Sequence, residues 1–173
     1  YIVPEDAKFF HSEVKKVCDA FDPTYYPKFK SWADDYFFLK HRNETRGIGG
    51  IFYDRMSAKS DEEFQSLLDF SLSIGRLFPE IYGYFMKKNH SIPFGDQEKN
   101  WQNLRRGRYV DFNLVWDAGT KFGLDTNGRT ESILMSMPPH ADWQYMYQPK
   151  AGSPEEYTQE HLKKGIDWLN FEL

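Results

Sequence analysis

The chain has 173 residues, with 22 Lys and Arg against 26 Asp and Glu, so its net charge is −4. This length predicts one folded domain, and no apolar run approaches the roughly 18 residues that span a bilayer, which excludes a membrane-spanning protein. The acidic balance gives no general attraction to nucleic acid or anionic lipid. The 15 Phe, 11 Tyr and 5 Trp are typical of large packed interfaces or of a site for a flat apolar ligand.

Helical patterns dominate the first half of the chain. Pro4 fits the first turn of a helix, and Glu5 and Asp6 lie favourably at its positive end. Apolar residues at helical spacing continue this helix to Phe21, and a second helix follows Pro27. The predicted buried stripes of these two helices are Phe10, Val14, Val17 and Phe21, then Phe29, Trp32 and Tyr36.

A third helix is predicted from Ser60, with Glu63 completing a capping box. It is expected to end or kink at Pro79, because proline removes a helical hydrogen bond. Further helical stretches are expected through Ile81 and Phe85, and around Trp101.

Strand patterns fill much of the second half. In residues 109–116 apolar and polar residues alternate, which is the period of a strand with one buried face. Short strands are also expected at 47–54, 121–124 and 131–137, with a tight hairpin at Asn127 and Gly128. Because the strands cluster late instead of alternating with helices, the pattern indicates an α+β fold with an antiparallel sheet.

Two short motifs resemble phosphate-binding sequences without meeting their requirements. The RGIGG motif at 46–50 has neither dinucleotide-fingerprint spacing nor the Lys-Ser/Thr of a P-loop. The RRGR motif at 105–108 is more typical of arginines that anchor carboxylates than of nucleic-acid binding.

Three residues could have reactive or metal-binding side chains. His11 and His41 are a possible pair of metal ligands, although no Asp or Glu lies at an obvious ligand spacing, so polar packing contacts are the alternative. Cys18 lies on the apolar side of the first helix and is expected in the core. As the only cysteine, it cannot form a disulfide within this sequence, which favours a reducing compartment.

Polar residues interrupt the apolar strands of the second half, and they include Asp111, Asn113, Asp117, Arg129 and Glu131. One interpretation is a solvated sheet face. The other is a cleft in which arginines bind carboxylates and aspartates accept N–H donors.

Long segments of the sequence resemble the oxygen-dependent coproporphyrinogen III oxidases of haem biosynthesis, in their C-terminal half. The segments are YYPKFKSWADDYFFLKHRNETRGIGGIFYD, NWQNLRRGRYVDFNLVWDAGTKFGLDTNGRTESILMSMPP and PKAGSPEE, and together they cover nearly the whole chain. The resemblance implies a large antiparallel sheet flanked by helices on both faces, of which residues 1–173 form the C-terminal part.

The resemblance also implies a function. The expected reaction converts two propionates of coproporphyrinogen III to vinyl groups, giving protoporphyrinogen IX, with O2 as co-substrate and no redox cofactor. A homodimer formed through Tyr109 to Gln144 is implied as well. The expected location is the cytoplasm, or the mitochondrial intermembrane space in a typical animal source.

The family's functional residues correspond to positions of this chain. A catalytic aspartate falls on Asp117, the substrate-binding triplet on Asn127, Gly128 and Arg129, and metal-ligating histidines of some bacterial members on His11 and His41. The catalytic His of the family and several substrate contacts precede Tyr1, so an incomplete site is expected.

Two departures from the family pattern leave other functions open. Ala118 and Asp142 occupy positions that usually hold Arg. They favour a non-catalytic tetrapyrrole-binding homologue as one alternative, and the two histidines suggest a metal-dependent enzyme as another.

Overall fold

The computed structural model describes residues 1–172, which form seven helices and one two-stranded sheet. In chain order the elements are α1 (Pro4–Phe21), α2 (Tyr25–Tyr36), β1 (Phe38–Leu39), β2 (Glu44–Thr45), α3 (Asp61–Asn89), α4 (Asp96–Val115), α5 (Ala118–Asp125), α6 (Thr130–Ile133) and α7 (Pro154–Glu160). None of the helices in this part of the chain is both long enough and apolar enough to cross a membrane.

The expected large antiparallel sheet with helices on both faces is wrong for this structure. Helices hold 57% of the chain, and the one sheet within residues 1–172 pairs Phe38 with Thr45 and Leu39 with Glu44. A strand needs neighbouring strands to satisfy its backbone N–H and C=O groups, whereas a helix satisfies them internally. The segments predicted as strands have no such neighbours here, and most of them are helical.

The first two helices lie where the sequence pattern predicts them, but of the expected buried stripe of α1 only Val14 is buried, while Phe10, Val17 and Phe21 are half-buried. Helix α1 begins at Pro4 with Glu5 and Asp6 in its first turn, and it buries Ala7, His11, Val14 and Cys18. These buried residues are spaced by three or four, so they lie on one helix face. They pack on α2 and α3 in a core cluster that also contains Tyr26, Phe29, Phe70 and Ile81.

Helix α3 begins as predicted but does not end at Pro79. The Ser60 hydroxyl accepts a hydrogen bond from the Glu63 N–H at 3.2 Å, as expected of an N-cap. The helix then continues through Pro79 to Asn89, so the predicted end at Pro79 is wrong, whereas the alternative of a kink there stays a prediction. Proline inside a helix costs about 3 kcal/mol. Burial of Phe70 and Ile81 on either side of it, at about 1.5–3 kcal/mol each, offsets that cost.

Residues 109–116, predicted as a strand, belong mainly to α4. The buried residues of this helix include Trp101, Leu104, Arg108 and Phe112, which follow a helical period. Leu114, expected on the same buried strand face as Phe112, is exposed. The helical period that begins at Trp101 therefore outweighs the shorter alternating pattern.

The predicted hairpin at Asn127 and Gly128 is the end of α5 instead. Asn127 has the expected positive φ, at 55°. However, the Gly128 N–H donates to the Gly123 carbonyl at 2.9 Å, and the Asn127 N–H donates to the Leu124 carbonyl at 3.3 Å. These two bonds define a Schellman motif, which ends a helix with a left-handed residue. The strands predicted at 121–124 and 131–137 are accordingly replaced by α5, α6 and a turn.

The segment 47–54, also predicted as a strand, begins with a bend and forms no strand pairing in the described structure. It packs beside α2, where the Phe52 N–H donates to the Phe29 carbonyl at 3.1 Å. Gly49 has a φ of 79°, a left-handed conformation that favours glycine. The segment thus runs along the helical core and carries Ile51 and Tyr53 against it.

Candidate functional site

Asp117 is the N-cap of α5. Its carboxylate accepts hydrogen bonds from the Thr120 N–H at 2.7 Å, from the Thr120 hydroxyl at 2.8 Å and from the Tyr36 hydroxyl at 3.1 Å. Burial raises the pKa of Asp117, but these donors and the nearby charge of Arg46 outweigh burial, so its pKa lies below the ordinary value. Asp117 is therefore an ionised carboxylate with a structural capping role, whatever further role it has.

The triplet Asn127, Gly128 and Arg129 lies at the other end of α5 and is exposed. An eight-residue helix spans about 12 Å, so Asp117 and the triplet lie at opposite ends of a helix and not beside strands. Arg129 is the N-cap residue of α6. Within residues 1–172, no carboxylate oxygen lies within 4.0 Å of its side-chain nitrogens, and its charge faces solvent.

His11 is fully buried, and both of its ring nitrogens are hydrogen-bonded. Nε2 lies 2.9 Å from the Ile48 carbonyl and Nδ1 lies 3.0 Å from the Tyr26 hydroxyl. Because a carbonyl only accepts, Nε2 carries the proton and Nδ1 accepts from Tyr26. Burial lowers the pKa of His11 to about 4, so the ring is neutral at pH 7. Its contacts hold α1, α2 and the segment 47–54 together.

His41 contacts a different set of residues. Its Nδ1 accepts a hydrogen bond from the Trp116 indole N–H at 2.9 Å, and its Nε2 lies 3.5 Å from the Asp111 carboxylate. Across the described residues, no three His, Cys, Asp or Glu side chains are grouped so that they could hold a metal ion. Since neither nitrogen of His11 is free, this arrangement does not fit a metal shared with His41, and the metal assignment stays a prediction.

Charged side chains of α4 form a network with the β1–β2 hairpin. Arg105 and Arg108 approach the buried carboxylate of Glu44, at 2.9 Å and 3.5 Å. Arg42 donates to Asp111 at 2.9 Å, and Arg108 lies 3.9 Å from the same carboxylate. The RRGR motif therefore supplies arginines that anchor carboxylates, which agrees with the favoured interpretation of the sequence.

Arg46 is a functional candidate that the sequence interpretation missed. Its guanidinium lies over the rings of Phe37, Tyr109 and Phe112, at 4.4, 5.3 and 5.1 Å from their centres. In the part of the chain that the structure describes, no carboxylate approaches it within 4.0 Å. The signal in the sequence was an arginine directly before a glycine-rich segment, which we considered only for phosphate binding.

Two neighbouring cavities share the wall formed by residues 46–48. We name the larger one, of about 790 Å³, the cationic cavity; its lining includes Arg46, Lys99, Trp101, Arg105, Arg106 and Tyr109. The other, of about 640 Å³, is the apolar cavity; its lining includes Phe10, Phe37, Ile51, Leu77 and Phe85. Together they can accept a large ligand with an apolar body and anionic groups, since each part of it meets complementary chemistry.

The positions that depart from the family pattern lie near α4 and α5. Ala118 is the first residue of α5, directly after Asp117. Asp142 joins the later chain to α4, because its N–H donates to the Asn103 carbonyl at 3.0 Å. Neither position contributes a cation to either cavity.

Comparisons with known proteins identify close relatives. The family model for coproporphyrinogen III oxidase matches residues 1–168. An oxygen-dependent coproporphyrinogen-III oxidase of Drosophila melanogaster is 49% identical over 170 residues, which are 98% of this chain and 43% of that protein. A chloroplastic oxygen-dependent coproporphyrinogen-III oxidase of Glycine max is 51% identical over 155 residues, or 90% of this chain and 40% of that protein. The chain thus spans about two fifths of the length of these relatives.

Proposed function

Because this chain belongs to the coproporphyrinogen III oxidase family, we propose that it is part of an enzyme that oxidatively decarboxylates coproporphyrinogen III with O2. The observation that supports this best is the identity of about half of the residues with two oxidases, over 98% and 90% of the chain. Such identity over most of the chain makes the same chemistry the simplest function.

The proposed reaction converts two propionates of the substrate to vinyl groups and yields protoporphyrinogen IX. For each side chain, the carboxyl group leaves as CO2, one hydrogen leaves the carbon next to the ring, and O2 takes up two electrons and two protons to give H2O2. A porphyrinogen is electron-rich enough to react with O2 itself, so the protein mainly positions the ring and guides proton removal. No flavin, nicotinamide or metal is assigned a step.

In this proposal Asp117 and Arg129 keep the roles that the resemblance implies. The Asp117 carboxylate accepts a pyrrole N–H and favours the positive charge that develops on the ring. Asn127 and Gly128 form the turn that presents Arg129, whose exposed guanidinium binds a substrate carboxylate. The chain covers about two fifths of the length of its relatives, so the proposal assigns only part of the site to these residues.

We also propose that the enzyme is a homodimer that associates through Tyr109 to Gln144 and acts in the cytoplasm or the mitochondrial intermembrane space. The support for the dimer is the exposed apolar surface of that region. Its most exposed large apolar side chains are Phe122, Met135 and Trp143, at 70%, 82% and 52%.

The second candidate function is tetrapyrrole binding without turnover, which Ala118 and Asp142 favour because they replace usual arginines. Turnover of coproporphyrinogen III by the full-length protein tests both. Appearance of protoporphyrinogen IX with O2 consumption supports the enzyme. Tight binding of the porphyrin without product supports the second candidate, and neither binding nor product contradicts both.

A further inference from the structure

The ion-pair network on α4 contains more positive than negative charge. Among residues 1–172, the carboxylates within 4.0 Å of Arg42, Arg105 and Arg108 are those of Glu44 and Asp111. Glu44 and Arg108 are both buried, so water compensates this imbalance poorly. An uncompensated buried cation is costly, and a bound anion would remove that cost.

Arg105 carries a buried donor that the described residues leave unpaired. Its Nη1 donates to Glu44 at 2.9 Å. Its Nη2 is buried and has no hydrogen-bond partner among the described residues. Buried donors are almost always paired, so an unpaired one beside a cavity points to a ligand.

Arg46 lies next to the same stripe of α4. Trp101, Arg105 and Tyr109 are four residues apart, so they follow one another on a single face of the helix. The Arg105 guanidinium lies 5.6 Å from the Trp101 ring centre, and that of Arg46 lies 5.3 Å from the Tyr109 ring centre. Aromatic rings and guanidinium groups thus alternate along one wall of the cationic cavity.

The charge of this cavity selects an anion. Four cationic side chains line it, namely Arg46, Lys99, Arg105 and Arg106, and among the described lining residues Glu98 is the one carboxylate. A planar guanidinium binds a carboxylate through two parallel hydrogen bonds. The adjoining apolar cavity suits the flat apolar body to which the carboxylate is attached.

We propose that Arg46 and Arg105 form a carboxylate subsite in the cationic cavity, distinct from Arg129. This inference rests on the proposed function for the identity of its ligand, a propionate of the tetrapyrrole. Arg105 is held by Glu44 and offers Nη2, while Arg46 is held between aromatic rings and has no competing carboxylate within 4.0 Å in the described residues.

The test compares two porphyrins that differ only in charge. Binding of coproporphyrin III, the stable oxidised form of the substrate, and of its tetramethyl ester is measured by fluorescence titration with the full-length protein. We expect Arg46→Gln and Arg105→Gln each to weaken coproporphyrin III binding about 10-fold, the value of one lost charge-assisted contact, and to leave ester binding unchanged. Arg105→Lys, which keeps the charge beside Glu44, should also weaken binding because it lacks the second nitrogen.

Arg76→Gln is the matched control, because it removes one exposed positive charge on α3 from a residue that lines neither cavity. Its affinity for either porphyrin should equal that of the wild type. Thermal melts identify any variant that fails to fold. If Arg105→Gln fails to fold, the affinity of Arg46→Gln decides the test, since this variant breaks no ion pair within 4.0 Å in residues 1–172.

The outcomes separate the subsite from the reaction. Wild-type affinity for coproporphyrin III in both folded Gln variants, or equal weakening of acid and ester, overturns the subsite. A wild-type protein that binds coproporphyrin III through Arg46 and Arg105 but never converts coproporphyrinogen III overturns the proposed reaction and supports the subsite.

Discussion

Gly107 lies directly against the backbone carbonyl of Asp142, so that a methyl group added at Gly107 would overlap that oxygen. Two hydrogen bonds hold the two segments together, one of them a helical turn before Gly107 and the other a turn after it. The Asp142 N–H donates to the Asn103 carbonyl at 3.0 Å, and the Trp143 indole donates to Asp111 at 3.0 Å. The chain after α6 is thereby fastened to the face of α4 that also carries Asp111.

Replacement of Gly107 tests this contact. Gly107→Ala should destabilise the protein by about 1–3 kcal/mol, since the backbone at Asp142 has to move. Gly75 is the matched control in α3, where an added methyl group meets nothing within 4 Å. Gly75→Ala should be neutral or stabilising by up to about 1 kcal/mol. Urea denaturation of both variants measures the difference, and equal stabilities would show that the segment does not press on α4.

Asp117 can be tested for catalysis apart from its capping role. Asn caps helices about as well as Asp, so Asp117→Asn should keep the free energy of unfolding within about 1 kcal/mol. The loss of charge should lower kcat for coproporphyrinogen III more than it raises KM, because the carboxylate acts on charge that develops during the reaction. Steady-state kinetics and thermal melts of the same preparation measure both quantities.

Ser60→Ala provides the control for a lost cap. It removes the N-cap of α3 and should cost about 0.5–2 kcal/mol without any change in kcat. Wild-type kcat in a folded Asp117→Asn variant would leave Asp117 with the capping role alone.

The sequence predicted the helices of the first half well because each has both a start signal and a helical apolar stripe. Pro4 and Ser60 mark the helix starts, and the buried residues of α1 have helical spacing, although Val14 is the one member of the expected stripe among them. The strands were wrong because alternation over eight residues does not provide pairing partners. Asn127 illustrates the ambiguity: its positive φ was predicted, yet that conformation ends a helix as readily as it turns a hairpin.

The candidate site was only partly predictable for a similar reason. The arginines of the RRGR motif were expected to pair with carboxylates, and Arg105 and Arg108 do so. Their partner Glu44 is about 60 residues away in sequence, and no local pattern indicates such a pair. Arg46 was missed because its surroundings are aromatic rings contributed by Phe37, directly after α2, and by α4, which only the tertiary structure brings together.

The proposed dimer predicts that charge on its surface disrupts association. Phe122→Asp should shift the full-length protein toward monomer, because the exposed aromatic ring would be buried in the interface. Phe64, 61% exposed on α3 outside the proposed interface, provides the control, and Phe64→Asp should leave the dimer intact. Sedimentation velocity at micromolar concentration measures both variants. A wild-type protein that sediments as a monomer would contradict the dimer itself.

The proposed reaction needs no metal, so removal of metals should leave turnover unchanged. Exhaustive dialysis against a chelator should retain the wild-type kcat, and His41→Ala should retain it as well. Elemental analysis of the dialysed protein confirms that the metal has been removed. Activity that is lost and then restored by only one divalent ion would reverse this prediction and support His11 and His41 as ligands.

Arg129 offers the cleanest separation of binding from stability. Its side chain is exposed and has no carboxylate within 4.0 Å in the described residues, so Arg129→Ala should change the free energy of unfolding by no more than about 0.5 kcal/mol. If it binds a substrate carboxylate, the loss of this charge-assisted contact should weaken coproporphyrin III binding about 10- to 150-fold.

Arg76→Ala is the control for this substitution, since Arg76 is another exposed arginine without an ion pair in residues 1–172. Fluorescence titration with coproporphyrin III should separate the two variants, whereas thermal melts should not. The weakening caused by Arg129→Ala should add to that of Arg46→Gln in the double variant, because two separate carboxylate contacts make independent contributions. Unchanged affinity in Arg129→Ala would show that the Arg129 side chain contacts solvent and does not belong to the binding site.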